Sequence, residues 1–314
     1  MKISLIGIGS MGQNHLRVLS EIKDIDLYSI YDLDKKKISS IAKKYKTKVA
    51  QNIQEISNNS DAIIIASPTF THFKYIDFFL RKKKILFVEK PLVSNLNQAN
   101  KLKKKYKNIN LQCGFIERFN PIVPILKKII SKEKVICIEF KRTDKLSSRI
   151  KDVDVIHDLM IHDVDLSIFL NGKIKSLKAF GRKEKGQIVF ATAILIHENN
   201  VISKIESSRI TQKKIRKINL TTVKSFVSAN LISKDLTVNT QTNLKQKNKK
   251  YNPIVISSKE EKILVTPEEP LKNEILQFIR FCKSKKIKIL NFNESYYNLK
   301  ICKKIKDEII KNLS

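Results

Sequence analysis

Residues 155–166 read VIHDLMIHDVDL. Two of the chain's five histidines, His157 and His162, stand here with Asp158, Asp163 and Asp165 in an otherwise apolar pattern. Such groups are costly to bury unless they are paired or working. Asp158 and His162 are four residues apart, which on a helix puts them on one face. A carboxylate one turn from an imidazole suits proton transfer near neutral pH, where histidine changes charge. His157 is turned about 100° from Asp158 on a helix of roughly 3.6 residues per turn, and is expected to be structural or exposed. Asp152 and Asp154 fall where the helix would begin, where acids cap free amides and complement the dipole. Asp163 and Asp165 either face solvent or brace the helix. Metal binding is the rival reading. The segment has no HExxH pattern and no evident third ligand, so no metal is expected.

A second set opens the chain. GIGSMGQNH, residues 7–15, is GxGxxG between an apolar strand pattern and a helix pattern. In that context the glycines allow a tight turn, close approach of a pyrophosphate and helix–strand packing, with the helix N-terminus facing the phosphates. Gly7, Gly9, Ser10, Met11 and Gly12 are therefore expected cofactor contacts. Asp32 lies twenty residues after Gly12, where an acid accepts from the adenosine ribose hydroxyls. A carboxylate there repels a 2′-phosphate, which favours NAD over NADP. Lys35, Lys36 and Lys37 stand close enough in sequence to reach a phosphate and weigh the other way. SPTFTH, residues 67–72, follows the central strand and supplies Ser67, Pro68, Thr69 and His72 as further expected contacts. VEKPL, residues 88–92, ends the next strand and puts Glu89 and Lys90 in the neighbourhood of a nicotinamide.

These residues need elements to hold them. Residues 3–7, 26–32, 61–67, 85–89 and 109–115 read as strands, with a short one near Val49, and helical patterns separate them. DAIIIAS is a continuous apolar run, as a parallel strand covered on both faces should be. That order predicts an α/β, Rossmann-type doubly wound parallel sheet. From Ile136 onward strands come close together, many alternating apolar and polar, and predict a mostly antiparallel sheet with one wet face. One helix carrying VIHDLMIHDVDL interrupts them, TNLKQKNKKYNP reads as a lysine-rich loop, and helices over 271–282 and 294–311 close the chain. The NP at Asn120 breaks the pattern, so the expected domains are 1–119 and 120–314.

With 314 residues the chain can hold two domains and a large core. Its net charge of +32 is almost all lysine, spread along the whole length, with Ile, Asn and Ser plentiful and Trp absent. That is a uniform bias of composition rather than a patch, and no zinc spacing, arginine-rich arm or aromatic–basic RNA motif accompanies it. No nucleic-acid partner is expected. No apolar run reaches the roughly 18–20 residues of a membrane span, and the N-terminus makes a poor signal peptide, so no membrane partner is expected. The four cysteines form no CxxC and have apolar neighbours, which points to a reducing, cytoplasmic compartment.

GxGxMGxxH, SPTxxH, EKP, and then an acid four residues before a histidine, occur here in an order that resembles the glucose-fructose oxidoreductase / inositol dehydrogenase / rhizopine catabolism family. The resemblance spans essentially the whole chain. It implies an N-terminal Rossmann domain and a C-terminal α/β domain with a large open sheet whose exposed face makes a homo-oligomer, dimer or tetramer. It also implies a catalytic set of Lys90, Asp158 and His162, with Glu89 beside the nicotinamide ribose. In such a set His162 is the base and Asp158 the orienter. Lys90 steadies the charge growing on oxygen, and a proton relay through Lys90 is the alternative to direct abstraction by His162. GFIERFNP, residues 114–121, and DVDVIHDLMIHDVDL, residues 152–166, resemble the UDP-N-acetylglucosamine 3-dehydrogenases more narrowly. His157 departs from that pattern, where an apolar residue is commoner. This implies a nucleotide-sugar oxidised at C3, and a partner aminotransferase that installs an amine for a modified lipid A. Inositol or another sugar remains the alternative within the family, and a dinucleotide-binding regulator without chemistry is the alternative outside it. Arg118 and Asn120 in ERFNP, with Arg149, are expected to hold the substrate. Arg142 and Arg149 flank the approach to the VIHDLMIHDVDL helix, and arginine forks suit a pyrophosphate.

Overall fold

The computed structural model describes residues 1–145, 153–243, 256–284, 287 and 289–313. The chain divides into two compact units, Met1–Phe119 with Glu269–Lys300, and Asn120–Glu268 with Ile301–Ser314.

In the first unit, strands β1 (Lys2–Ile6), β2 (Asp26–Tyr31), β3 (Lys48–Val49), β4 (Ala62–Ile65), β5 (Ile85–Glu89) and β6 (Leu111–Gly114) alternate with helices. The helices are α1 (Ser10–Glu21), α2 (Lys35–Tyr45), α3 (Ile53–Asn59), α4 (Thr69–Arg81) and α5 (Leu96–Lys105). The strands form one sheet in the order β3-β2-β1-β4-β5-β6. Every pairing in it is parallel. This is the Rossmann order, with its switch point between β1 and β4. All four residues of β4 are buried, the result of cover on both faces.

The expectation that residues 120–314 form one domain needs correction. The chain returns to the first unit, where α8 (Pro270–Lys283) lays Leu271, Ile275, Phe278 and Ile279 into a core with Ile3, Leu16 and Phe87. Pro270 fits the first turn, where its missing N–H is no loss. The cause of the return is the apolar face of α8, since each such side chain is stabilised by about 1.5–3 kcal/mol on full burial.

The second unit holds α6 (Ile122–Ile130), β7 (Val135–Thr143), α7 (Ile161–Asn171), then β8 (Ile174–Glu184), β9 (Gln187–His197) and β10 (Ile202–Ser208). It continues with β11 (Ile215–Thr222), β12 (Ser225–Asn230), β13 (Asp235–Asn243) and β14 (Ile256–Ile263). The last helix, α9 (Phe292–Leu313), contributes its second half. The sheet runs β14-β13-β12-β11-β7-β10-β9-β8. Only β7 with β10 is parallel; the other pairings are antiparallel. Register explains the alternation seen in the sequence. Leu236, Ala229, Ile218, Phe140, Ile205, Ala193 and Ala179 lie in one row across seven strands, and all are buried. The fold is thus α/β, a Rossmann-type unit plus a larger, mostly antiparallel sheet, as the strand patterns anticipate.

Candidate active site

The glycine loop forms as its spacing requires. Gly7 has φ +90°, and a Cβ there would press on Ser67 Cα at 2.5 Å, so only glycine lets β1 and β4 end side by side. A Cβ on Gly12 would run into the carbonyl of Gly7. Gly9 is different: it stands at the N-cap of α1, makes no side-chain cap, and would find nothing within 4 Å of an added Cβ. Gly9 thus puts no side chain of its own over the start of α1, as a pyrophosphate cradle at a helix N-terminus requires. Asp32, at the end of β2, accepts from Ile8 N at 2.6 Å and from Asp34 N at 3.0 Å. Its half-buried carboxylate so braces the loop. Asp34 caps α2 by accepting from Lys37 N at 3.0 Å. The residues present thus fit a dinucleotide.

At the end of β5, Glu89 meets His15 of α1, with Nε2 and Oε1 2.6 Å apart and His15 wholly buried. Lys90 N approaches the other Glu89 oxygen at 3.3 Å, and the Lys90 side chain is half-buried. His15, the histidine of GxMGxxH, ties α1 to the EKP segment.

His72, expected to touch a cofactor, is corrected by its surroundings. The ring is buried, with Nδ1 3.0 Å from Pro91 O and Nε2 2.8 Å from Ser67 O. One of these contacts is an N–H donation in the neutral ring, and both are in the cation. Burial pushes the His72 pKa down; the two carbonyls and Glu89 pull upward without overcoming it. With both nitrogens facing backbone, His72 pins the SPT turn to the EKP segment instead of contacting a ligand. Ser67 Oγ lies 2.7 Å from Thr71 Oγ1, which donates to Pro68 O.

In the second unit the VIHDLMIHDVDL helix is not uniform. Residues Ile156–Met160 form a π turn that runs directly into α7. Such wide turns, with i→i+5 bonds, often mark functional sites. Asp158 sits in the turn and His162 just beyond it, half-buried. Asp158 Oδ2 accepts from Arg209 Nη2 at 3.0 Å. Asp154 caps the turn: its Oδ1 accepts from His157 N at 2.9 Å and lies 2.9 Å from His157 Nδ1. Lys306 Nζ is 2.7 Å from the other oxygen. Burial alone would raise the Asp154 pKa, but His157 and Lys306 hold it well below the usual carboxylate range. His157 is thus a bracing residue of the turn, and Asp154 a cap with two added partners. Asp163 and Asp165 are both buried, not solvent-facing. Among the described residues no group of three His, Cys, Asp or Glu side chains is placed to hold a metal.

Arg142 and Asn120 are taken up by the fold. Arg142 is only 1% exposed, and its fork is closed on Asp163, Nε to Oδ2 at 2.9 Å and Nη2 to Oδ1 at 2.8 Å. It braces α7 on β7 and has no fork to offer a pyrophosphate. Asn120, also buried, donates to Leu231 O at 3.1 Å and accepts from Ile122 N at 3.2 Å, which starts α6. Both ends of its amide serve the fold. Arg118 lies in the first unit, 3.3 Å from Glu294, with 9% of its side chain exposed. Arg149 and Asp152 fall outside the described residues. Arg209, which sequence spacing did not single out, is the arginine that reaches the Asp158 turn. Its only sequence signal is a lone charge at the end of an alternating strand.

Residues 1–115 match the model of the oxidoreductase family with an NAD-binding Rossmann fold. The chain is 23% identical over 243 residues to a UDP-N-acetylglucosamine 3-dehydrogenase of Acidithiobacillus ferrooxidans, covering 75% of this chain and 76% of that one. It is 28% identical over 186 residues to a glucose-6-phosphate 3-dehydrogenase of Bacillus subtilis, covering 54% of this chain and 53% of that one. A solved structure of the Acidithiobacillus ferrooxidans enzyme superposes with a TM-score of 0.88 at 20% identity, covering 100% of this chain and 99% of that one. The cradle at Gly7–Gly12 lies within residues 1–115, the part of the chain that matches the model of this oxidoreductase family with its NAD-binding Rossmann fold.

Proposed function

We propose that the chain oxidises a sugar hydroxyl with NAD, and that its substrate is UDP-N-acetylglucosamine, oxidised at C3 to the 3-keto nucleotide-sugar. The observation that carries this reading is one chain holding a dinucleotide cradle and, four residues beyond a carboxylate fixed by Arg209, a half-buried histidine. Two relatives with different substrates are both named 3-dehydrogenases, which supports oxidation at C3.

NAD, when bound, supplies the hydride acceptor. The residues do the rest. The hydroxyl proton passes to a ring nitrogen of His162, which suits a base near pH 7. Lys90 donates to the oxygen as negative charge builds there. Asp158 orients the sugar and the base. The O–H bond breaks toward His162 as the carbon gives up its hydride to the acceptor that NAD would supply, and a ketone would be left. Glu89, held by His15, would meet the nicotinamide ribose. Asp32 would accept from the adenosine ribose and disfavour a 2′-phosphate, so NAD would be preferred to NADP.

Alcohol oxidation by NAD is uphill near neutral pH, so a pathway aminotransferase that consumes the ketone completes the proposal, as does a role in amino-sugar supply for lipid A. The four cysteines are free thiols, which supports a reducing, cytoplasmic setting. No helix among the described residues is long and apolar enough to cross a membrane.

NADH absorbance tests the reading. The purified chain is mixed with UDP-N-acetylglucosamine and NAD, with an aminotransferase and glutamate added to draw off product. Turnover should be faster than with free N-acetylglucosamine or myo-inositol, and slower when NADP replaces NAD. Faster turnover of either free sugar rejects the nucleotide-sugar reading, and faster turnover with NADP rejects the cofactor preference.

A further inference from the structure

Arg209 follows β10 and is only 4% exposed. Its backbone N donates to Val189 O at 2.9 Å, which extends the ladder by one residue and fixes the direction of the side chain. The guanidinium then bridges the entry of the π turn. Nη1 donates to Val153 O, and Nη2 donates to Asp154 O at 3.2 Å and to Asp158 Oδ2 at 3.0 Å. One planar group thereby joins the backbone at the start of the turn to the carboxylate in its middle. A wide turn has fewer constraints of its own than an α-helix, because each i→i+5 bond closes a larger loop. Arg209 supplies the constraint from outside.

We infer that Arg209 is a positioning residue for turnover: it sets the placement of the Asp158 carboxylate relative to His162 by clamping the π turn. This rests on the proposed roles of Asp158 and His162. Lysine cannot replace it fully, since a single ammonium lacks the fork that spans two carbonyls and a carboxylate at once.

The experiment uses the full chain. Unmutated protein, Arg209→Lys, Arg209→Ala, Asp158→Asn and the Arg209→Ala/Asp158→Asn double variant are compared in the NADH assay. NAD binding is followed by calorimetry and folding by circular dichroism. Arg209→Ala should lower kcat about 10- to 100-fold, the scale of a lost charge-assisted hydrogen bond or a small misplacement of a reacting group. Its NAD affinity should stay within about twofold, because the cradle lies in the other unit and the variant removes no cradle contact. Added guanidinium chloride at millimolar concentration should recover part of kcat in Arg209→Ala and nothing in the unmutated chain. The double variant should be no slower than the slower single variant, because both remove one interaction. If Arg209→Ala does not fold, Arg209→Lys carries the test, with an expected drop of about tenfold. Unmutated kcat in either folded variant, or additive loss in the double variant, overturns the inference while leaving the dehydrogenase reading in place. An unmutated chain that turns over no sugar offered removes that reading, and this role with it.

Discussion

His157 and His162 differ in what they touch. The His157 ring lies against Asp154 and reinforces a cap that its own backbone amide already makes. His162 stands beyond the π turn, half-buried, four residues from the carboxylate that Arg209 holds. Replacing His162 or Lys90 by Ala should therefore remove most turnover while NAD still binds. Replacing His157 by Ala should leave kcat within a few-fold and lower stability by about 1 kcal/mol, the scale of a lost hydrogen bond. Steady-state NADH formation and urea unfolding separate the two effects. A His157→Ala loss of kcat equal to that of His162→Ala would reverse the assignment of the base. The cap also carries a pH dependence. The Asp154 pKa lies below its unfolded value, so the contribution of this residue is present above about pH 3.9 and is lost as pH falls toward the folded value.

Among elements, the SPT turn and the EKP strand end depend on one buried ring. His72 binds protons less readily when folded, because burial outweighs its carbonyl neighbours. A histidine with a depressed folded pKa stabilises the native state above its unfolded pKa of about 6.5, and that stability declines as pH falls through this value. The slope reaches about 1.4 kcal/mol per pH unit for one proton. His197, buried with Nδ1 2.9 Å from Gly172 O, shifts in the same direction. The unfolding temperature should thus drop between pH 7.5 and 5.5, and His72→Gln should drop less than the unmutated chain. Equal slopes in calorimetry would show that the His72 proton is not coupled to folding.

The same elements explain what could be read from sequence. Continuous apolar runs betray β4 and β5, and alternation betrays β9 and β10, because burial on two faces or one leaves those patterns. The strand β14, ISSKEEKI, has no such run: it is an edge strand rich in charge, and edges are protected in that way. The helix α6 was hidden by the NP break and by Pro124, which the first turn of a helix tolerates. In the site, Gly7 and Gly12 were legible because backbone clearance demands them. The π turn was not, since it has the same apolar spacing as an α-helix over so few residues. Arg142 and Arg209 look alike in sequence; only the fold decides that one closes on Asp163 and the other on Asp158.

At the scale of the whole molecule, the open side of the large sheet is the surface left to account for. Register places Phe226, Thr221, Cys137, Ile202 and Ile196 in one row across β12, β11, β7, β10 and β9, on the face opposite the buried row. Phe180 and Ile194 share that face. Phe226 is 41% exposed, Phe180 55% and Ile194 43%, more than lone surface residues need. Between them, Lys204 meets Glu139 at 2.6 Å and Lys141 meets Glu206 at 3.0 Å, exposed pairs that add little stability but offset four of the charges there, with Lys217 beside Lys141 on the same face. In a chain of net charge +32, that pairing lowers the repulsion two copies would meet at this face. The expected state is a homo-oligomer joined through this face. Ile194→Lys with Phe226→Lys should shift the mass measured by light scattering after size exclusion toward the monomer. Raising salt should not restore assembly, because the lost term is apolar burial. An unmutated chain that stays monomeric at tens of micromolar, or a double variant whose mass is unchanged, would rule out this face as the contact.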